Sequence, residues 1–240
     1  MSCFYGKNDM KLALVSDHSS VNGMATIRCV LNALSSDMTR VAYIASQPDP
    51  DRIYYRATQA IYRELGADLS NHVELESDFD ESAVASMFGF DAIHLSGGDT
   101  FRFLKWLKKR DLLTSLQAYL NDGGAIIGVS AGAMIMTPSI ESARLCGDTN
   151  DVDLQDLSSL SLVPFQFVPH VDGDIKDASM LLNQLMDEHS DAVRPNTMPW
   201  TVALRNLVNE YYLCPDDAGI AVIDDKIIEF GQPVIYRPNS

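Results

Sequence analysis

Short apolar runs alternate with amphipathic stretches along the first 136 residues of the chain. Runs such as 12–15 (LALV) and 125–128 (AIIG) carry no polar side chain, which indicates strands buried on both faces. Between such runs, apolar residues recur at helical spacing, as at Ile27, Val30 and Leu34. The pattern predicts strands over 12–15, 41–44, 72–75, 91–95 and 125–128, and helices over 24–34, 53–65, 81–88, 100–107, 112–120 and 131–136.

This alternation of strands and helices predicts an α/β fold. Strand–helix–strand units favour a three-layer arrangement, in which helices cover both faces of a mostly parallel sheet. Functional sites in such sheets form at the carboxyl ends of the strands. We therefore expect the chemistry of this chain in the segments that directly follow its strands.

The second half of the chain has a different pattern. Residues 148–161 are acidic and serine-rich, which favours a loop or short helix, and 174–186 has helical spacing. Because no linker or repeat interrupts the sequence, we predict a single domain over residues 1–240. Short strands are predicted at 165–168, 201–204, 210–213, 220–223 and 226–230, the last two joined by a hairpin turn at 224–225. Those after residue 199 are expected to form an antiparallel extension of the same sheet.

Charge and composition narrow the classes of function. With 18 Lys and Arg against 33 Asp and Glu, the net charge of −15 disfavours binding to nucleic acids and to anionic membranes. The sequence holds no apolar stretch of membrane-spanning length, and its first ten residues do not resemble a signal peptide. The cysteines form no C-x-x-C pair, so we expect a reduced, cytoplasmic protein. They are Cys3, Cys29, Cys146 and Cys214.

The sharpest chemical motif is GVSAG at residues 128–132, which contains Ser130. It follows a predicted buried strand and precedes a stretch of small residues, which is the setting of a nucleophile elbow. The glycines would let the strand and helix pack closely while the Ser130 hydroxyl projects from the bend. Taken alone, the pattern is also compatible with a simple tight turn between strand and helix.

A serine nucleophile needs a base, and the sequence offers five histidines. His170 follows a predicted strand downstream of the elbow, at the edge where a base should lie. His18 lies at the same edge in a polar loop, and His94 is expected to be a hydrogen-bonded core residue. His72 and His189 are expected to face solvent. The sequence therefore favours His170.

The remaining groups of an acyl-transfer site are less sharply defined. The amide of Ala131 is one expected oxyanion donor, and the glycine turn at 96–100 offers a second at Gly98. An acid is needed to orient the base, but spacing does not choose among the carboxylates between Ser130 and His170. These are Glu141, Asp148, Asp151, Asp153 and Asp156.

Three motifs in this order, SGGDTF at 96–101, GVSAGA at 128–133 and PH at 169–170, resemble the S51 family of serine peptidases. That family includes peptidase E, an aspartyl dipeptidase, and cyanophycinase. The resemblance runs from about residue 12 to about residue 186. It implies a flavodoxin-like fold of the class I glutamine amidotransferase type, with serine in place of the usual cysteine.

The resemblance also implies roles for individual residues. Ser130 would be the nucleophile, His170 the base, and the amides of Gly98 and Ala131 the oxyanion hole. Asp148 matches the family acid best, with Asp151 as the alternative. No metal or cofactor is implied. The expected substrate is a short peptide, with N-terminal Asp-X dipeptides as one form, and a homodimer is compatible with the sequence.

The chain also departs from the family pattern. Asp99 stands where peptidase E has asparagine, and its charge would repel an aspartyl substrate. Arg102 and Arg144 are candidate partners for a substrate carboxylate. The alternatives are a cyanophycinase-like hydrolase of β-aspartyl peptides, a non-catalytic binding domain of the same fold, and a glutaminase, which would normally need a cysteine at the elbow.

Overall fold

The structure is a computed structural model that describes residues 10–171 and 210–237. The predicted helix at 174–186, the predicted strand at 201–204 and His189 lie outside these described residues. The described strands are β1 (Lys11–Val15), β2 (Arg40–Ile44), β3 (Asp68–Val73), β4 (Ala92–Leu95), β5 (Ala125–Val129), β6 (Gln166–Val168), β7 (Tyr211–Leu213), β8 (Gly219–Ile223), β9 (Lys226–Phe230) and β10 (Val234–Tyr236). The described helices are α1 (Val21–Asn32), α2 (Ile53–Glu64), α3 (Glu81–Met87), α4 (Thr100–Lys109), α5 (Leu112–Asn121) and α6 (Ala131–Ile135), followed by a 3-10 helix (Ile140–Cys146).

A seven-stranded sheet forms the centre of the fold, in the order β3-β2-β4-β5-β1-β8-β9. Its first five strands are mutually parallel, whereas β8 pairs antiparallel with β1 and β9 antiparallel with β8. The predicted α/β class with an antiparallel C-terminal extension is therefore confirmed. The central strands β1 and β5 are apolar in nearly every position because helices cover both faces of the sheet, as expected for a parallel sheet.

One strand prediction was wrong in its placement. The strand predicted at 210–213 does not extend the main sheet; instead β7 lies in a second, three-stranded sheet in the order β10-β7-β6. In this second sheet β6 and β7 run parallel, so the segments that follow them leave the sheet at the same edge. This arrangement brings the segments after Val168 and after Leu213 together.

Two apolar layers fix the helices on the sheet. The helices α1 and α2 cover one face, where Ile27 and Tyr62 pack against Ala13 and Tyr43. The helices α4, α5 and α6 cover the other face, with Phe101 and Leu104 in its core. Among the described helices, none has the length and apolarity to cross a membrane.

Serines follow three neighbouring strands of the sheet. Val15 pairs with Val129 across β1 and β5, and Leu95 pairs with Gly128 across β4 and β5. The next residues along these strands are Ser16, Ser96 and Ser130. The carboxyl edge of the sheet therefore carries a row of hydroxyl groups at the point where sites form in this class of fold.

Candidate active site

Ser130 lies at the bend between β5 and α6, in a backbone conformation that side chains rarely adopt. Its φ is 49° and its ψ is −110°. A residue other than glycine in this region carries strain of about 1–3 kcal/mol, which the surrounding structure must support. Here the Ser130 N–H donates to the Val15 carbonyl at 2.8 Å, and the Ser130 carbonyl accepts from Ala133 and Met134. The expected nucleophile elbow is thus present.

Close packing at the elbow explains one of its glycines. A Cβ on Gly132 would lie 2.1 Å from the Leu95 carbonyl oxygen, so any side chain there would separate α6 from β4. The Gly132 N–H instead donates to the Ser96 carbonyl at 3.1 Å. Packing against the neighbouring strand holds the first turn of α6, and with it Ser130, in place.

His170 contacts Ser130 directly. Its Nε2 lies 2.9 Å from the Ser130 Oγ, although 40 residues separate the two in the chain. The imidazole is 47% exposed, so it is accessible from solvent. The pairing predicted from the sequence is therefore present in the structure, with the distance that proton transfer between the two groups requires.

The carboxylate on the far side of the imidazole is Asp216, which corrects the expectation for Asp148. The Asp216 Oδ1 lies 2.6 Å from His170 Nδ1, and its side chain is 63% exposed. Asp148 instead accepts from the Thr100 hydroxyl at 2.5 Å. The alternative acid, Asp151, is solvent-exposed. Asp216 is not among the carboxylates between Ser130 and His170, because it follows the base in the chain.

Asp148 lies near the site but forms no hydrogen bond with the His170 imidazole, unlike Asp216. Burial raises its pKa, the charge of Asp99 adds to that rise, and the Thr100 hydroxyl and His170 oppose it. A half-buried carboxylate near the base thus contributes to the electrostatic field of the site. It does not fix the orientation of the His170 ring.

The parallel pairing of β6 with β7 explains how His170 and Asp216 meet. Val168 and Leu213 are register partners at the carboxyl ends of these strands. His170 follows two residues after the first and Asp216 three residues after the second. Asp216 follows the strand predicted at 210–213, so the sequence does place it after a strand. The sequence does not predict that this strand pairs with β6, which is what brings Asp216 to His170.

Asp216 and Asp217, the two aspartates after β7, make different contacts. The Asp217 carboxylate accepts from the Asn22 N–H at 2.7 Å and from the Asn22 side-chain amide at 2.9 Å. These bonds tie the segment to the start of α1. With Asp217 anchored there, Asp216 faces His170.

Ser16 is a positioning residue that the sequence analysis did not identify. Its fully buried hydroxyl accepts from the His170 N–H at 2.8 Å and donates to the Cys214 carbonyl at 3.3 Å. The Cys214 N–H in turn donates to the Val168 carbonyl at 2.8 Å. One hydroxyl at the end of β1 therefore joins the two backbone segments that carry the imidazole and its carboxylate.

Replacing Ser16 with alanine is expected to disturb the site through His170. An unpaired buried N–H costs about 1–3 kcal/mol, and a catalytic group displaced by about 1 Å can lose on the order of 100-fold in rate. We expect a fall in kcat of tenfold or more, little change in KM, and recovery in Ser16→Thr, which keeps the hydroxyl. Peptide hydrolysis and urea unfolding would be measured together. A loss of stability with kcat unchanged would reduce Ser16 to a structural role.

Two backbone amides near Ser130 in the described structure have no hydrogen-bond partner. They are the N–H groups of Gly98 and Ala131. Gly98 has a φ of +134°, and a Cβ there would lie 2.3 Å from the Ser46 Oγ, so the turn requires glycine. A Cβ on Gly97 would lie 3.4 Å from the Ser130 Cβ, which places this turn against the serine. Both predicted oxyanion donors are therefore available.

The arginines considered as partners for a substrate carboxylate are already paired. Arg102 donates twice to Glu76, at 2.7 Å each. Arg144 lies 3.5 Å from Glu141. Asp99, which replaces the family asparagine, accepts from the Arg102 N–H at 2.9 Å and caps α4. Its charge remains beside the glycine turn, so the described part of the site is acidic.

The other described histidines lie on the opposite face of the sheet from α6. His94 is buried as expected, but its Nε2 lacks a hydrogen-bond partner. His72 was expected to face solvent; it is half-buried and stacks on Tyr43 with ring centroids 5.8 Å apart. His18 is also half-buried. None of these three replaces His170 as the base.

A serine at a strand–helix bend, in line with an imidazole and a carboxylate, is the arrangement found in serine hydrolases. The model of peptidase family S51 matches residues 12–229, and the chain belongs to that family. The predicted resemblance is confirmed.

Individual relatives agree with this assignment. The chain is 37% identical over 87 residues to peptidase E of Citrobacter koseri, covering 36% of this chain and 37% of that protein. It is 32% identical over 117 residues to peptidase E of Shigella flexneri, covering 49% of this chain and 48% of that protein. The matched segments thus span less than half of these curated relatives. A peptidase E-like protein from Listeria monocytogenes EGD-e shares the fold, with a TM-score of 0.67 at 19% identity, over 94% of this chain and 98% of that one.

Proposed function

We propose that this chain is a serine-type peptidase that hydrolyses short peptides through Ser130, His170 and Asp216. The observation that carries the proposal is the continuous contact from the Ser130 Oγ to His170 Nε2, at 2.9 Å, and from His170 Nδ1 to Asp216, at 2.6 Å. This is the geometry that allows a weakly nucleophilic hydroxyl to lose its proton as it attacks.

In this mechanism the Ser130 Oγ attacks the scissile carbonyl while His170 Nε2 accepts its proton. The oxygen of the tetrahedral intermediate receives hydrogen bonds from the amides of Gly98 and Ala131. His170 then passes the proton to the leaving amine, and an acyl-enzyme on Ser130 remains. Water, deprotonated by His170, hydrolyses it. Asp216 holds the ring orientation and stabilises the imidazolium.

Acidic groups around the site favour substrates with a free amino terminus. Asp99 lies at the glycine turn, and Asp148 lies near enough to His170 for the two charges to interact. Carboxylates in a partly desolvated site attract an ammonium group. A free α-ammonium is present near the scissile bond of every unblocked dipeptide, which agrees with the dipeptidase role proposed from the resemblance.

The same carboxylates support a second candidate, a hydrolase of β-aspartyl peptides that carry arginine. A guanidinium would interact with Asp99 and Asp148 as an ammonium does. The bond that is broken differs between the two candidates, since one substrate is joined through its α-carboxyl group and the other through the side chain of aspartate. Substrate comparison therefore distinguishes them.

A panel of dipeptides tests the proposed activity. We expect unblocked α-linked dipeptides to be cleaved, and N-acetylation to lower kcat/KM about 10- to 100-fold, because a hydrogen bond to a charged group contributes about 1.5–3 kcal/mol. Release of amino acids would be followed by amine derivatisation and chromatography.

Two other outcomes would change the assignment. Preferential cleavage of β-Asp-Arg over α-linked dipeptides would support the second candidate. Equal rates for acetylated and free dipeptides would contradict recognition of the ammonium group by the acidic residues.

A further inference from the structure

A cavity of about 260 Å³ lies beside the glycine turn of the candidate active site. Gly97 and Gly98 form part of its wall, and so does Val129, the residue directly before Ser130. The remaining wall comes from β2, β4, the start of α2 and the loop after β1. Since drug-sized ligands occupy pockets of roughly 300–1,000 Å³, this cavity suits a single side chain.

Two imidazoles with unfilled hydrogen-bonding positions line this cavity. His94 is only 1% exposed, and its Nδ1 lies 2.9 Å from the Tyr62 hydroxyl. Its Nε2 has no partner, and neither has the Nδ1 of His18, which also lines the cavity. Because buried polar atoms in native proteins are nearly always hydrogen-bonded, these two nitrogens indicate a polar group that enters the cavity.

Burial favours the uncharged form of both rings. Burial lowers the pKa of His94 well below its ordinary value, and the neighbouring His18 lowers it further. Burial also lowers the pKa of His18, against the opposing charge of Asp17. Neutral imidazoles attract neither anions nor cations strongly, so they are suited to an uncharged partner.

The remaining wall includes two aromatic rings and one negative charge. Tyr43 and Tyr54 supply ring surface. Asp49 supplies a carboxylate that accepts from the N–H groups of Ile53 and Tyr54, at 2.9 Å each. Among the described residues of the wall, none is lysine or arginine. An aspartyl side chain would therefore enter without a described cation and against a carboxylate.

We propose that this cavity is the specificity pocket of the peptidase and that it accepts a tyrosyl side chain in preference to an aspartyl one. The inference rests on the proposed function, because that function places the scissile carbonyl of the substrate at the Gly98 amide. The side chain of the substrate residue that carries this carbonyl would then enter the adjacent cavity. A phenol ring fits aromatic walls, and a hydroxyl both donates and accepts. It therefore pairs with the two unpartnered nitrogens, His94 Nε2 and His18 Nδ1, donating to one and accepting from the other.

Three dipeptides test this preference on the unmodified protein. We expect kcat/KM for Tyr-Ala to exceed that for Phe-Ala about tenfold, the value of one hydrogen bond of about 1.4 kcal/mol. We expect it to exceed that for Asp-Ala about 100-fold, because burial of an uncompensated charge is costly. An equal or higher value for Asp-Ala would overturn the proposal, and so would equal values for Tyr-Ala and Phe-Ala.

Two matched substitutions assign the effect to the cavity. His18→Phe keeps the ring and removes the unpaired nitrogen, so the advantage of Tyr-Ala over Phe-Ala should fall to within about threefold. His72→Phe makes the same change on a ring that stacks on Tyr43 but does not line the cavity, and it should preserve the advantage. An equal loss in both variants would contradict the assignment to His18.

Binding to Ser130→Ala protein separates this proposal from the proposed function. Calorimetry on that variant reports affinity without turnover, and we expect Tyr-Ala to bind more tightly than Phe-Ala and Asp-Ala. If Tyr-Ala binds most tightly but the unmodified protein does not hydrolyse it, the tyrosyl pocket is supported and the peptidase assignment is wrong. If the unmodified protein hydrolyses dipeptides but the Ser130→Ala protein binds Asp-Ala most tightly, the peptidase assignment is supported and the tyrosyl pocket is wrong.

Discussion

Replacing Ser130 with alanine is expected to lower kcat for dipeptide hydrolysis about 10⁴- to 10⁶-fold, the range seen when the nucleophile of a serine hydrolase is removed. In the proposed mechanism, the hydroxyl 2.9 Å from His170 forms the acyl-enzyme, and alanine offers no atom to replace it. Residual activity above the uncatalysed rate should persist, because the free amides of Gly98 and Ala131 are unaffected.

The loss should reside in catalysis and leave the fold intact. Alanine retains the Cβ of serine and meets the same positive φ, so the strain at the bend is unchanged and thermal stability should stay within about 0.5 kcal/mol. Ser36→Ala is a suitable control, since Ser36 lies in an exposed loop where its hydroxyl donates to the Met38 carbonyl. This control should retain full activity.

A covalent probe provides a second measurement of the same group. A fluorophosphonate should label Ser130 of the unmodified protein, as detected by peptide mass spectrometry, and should fail to label Ser130→Ala. Dipeptide hydrolysis by Ser130→Ala at a rate close to that of the unmodified protein would overturn the mechanism. Absence of both labelling and hydrolysis in the unmodified protein would favour the non-catalytic binding domain of the same fold.

Replacing Asp216 with asparagine is expected to lower kcat about 10³- to 10⁴-fold with little change in KM. Asparagine preserves the shape but removes the charge that stabilises the imidazolium, and its amide can bind the wrong tautomer of His170. Because Asp216 is 63% exposed, water supplies part of the lost stabilisation, and the lower end of this range is the expected one.

Two neighbouring carboxylates provide controls for Asp216. Asp217→Asn removes a charge at the adjacent position, where the carboxylate binds Asn22 at the start of α1, and should change kcat only slightly. Asp148→Asn removes the half-buried carboxylate that accepts from Thr100, and should lower activity less than Asp216→Asn. A larger loss in Asp148→Asn would restore Asp148 as the orienting acid.

The site shows why the proposed catalytic acid is harder to predict from sequence than the proposed nucleophile. Ser130 has a local signature, since a buried strand, two glycines and a short helix surround it in sequence. His170 has a weaker one, as the residue two positions after a strand. Asp216 lies 46 residues beyond His170, and its contact depends on which strand pairs with β6. That pairing is a long-range property with no local pattern.

Ser16 and His94 illustrate the same limit. In the sequence, Ser16 is one of several polar residues after the first strand, and only its neighbours in space make it a bridge between two segments of the site. His94 reads as a core residue, and it is one. The unfilled hydrogen bond at its Nε2 becomes visible only when the surrounding cavity is known.

The sequence by itself determined the α/β class, the elbow at Ser130, the candidate base at His170, and the helices and strands of the first half except β3, which was predicted at 72–75 and lies at Asp68–Val73. These follow from apolar periodicity and turn chemistry, which act between residues close in the chain. Only the tertiary structure decided that β7 joins a second sheet, that Asp216 and not Asp148 contacts the imidazole, and that two histidines line a cavity beside the glycine turn. Contacts of this kind depend on strand order and side-chain packing, which join residues irrespective of their separation in sequence.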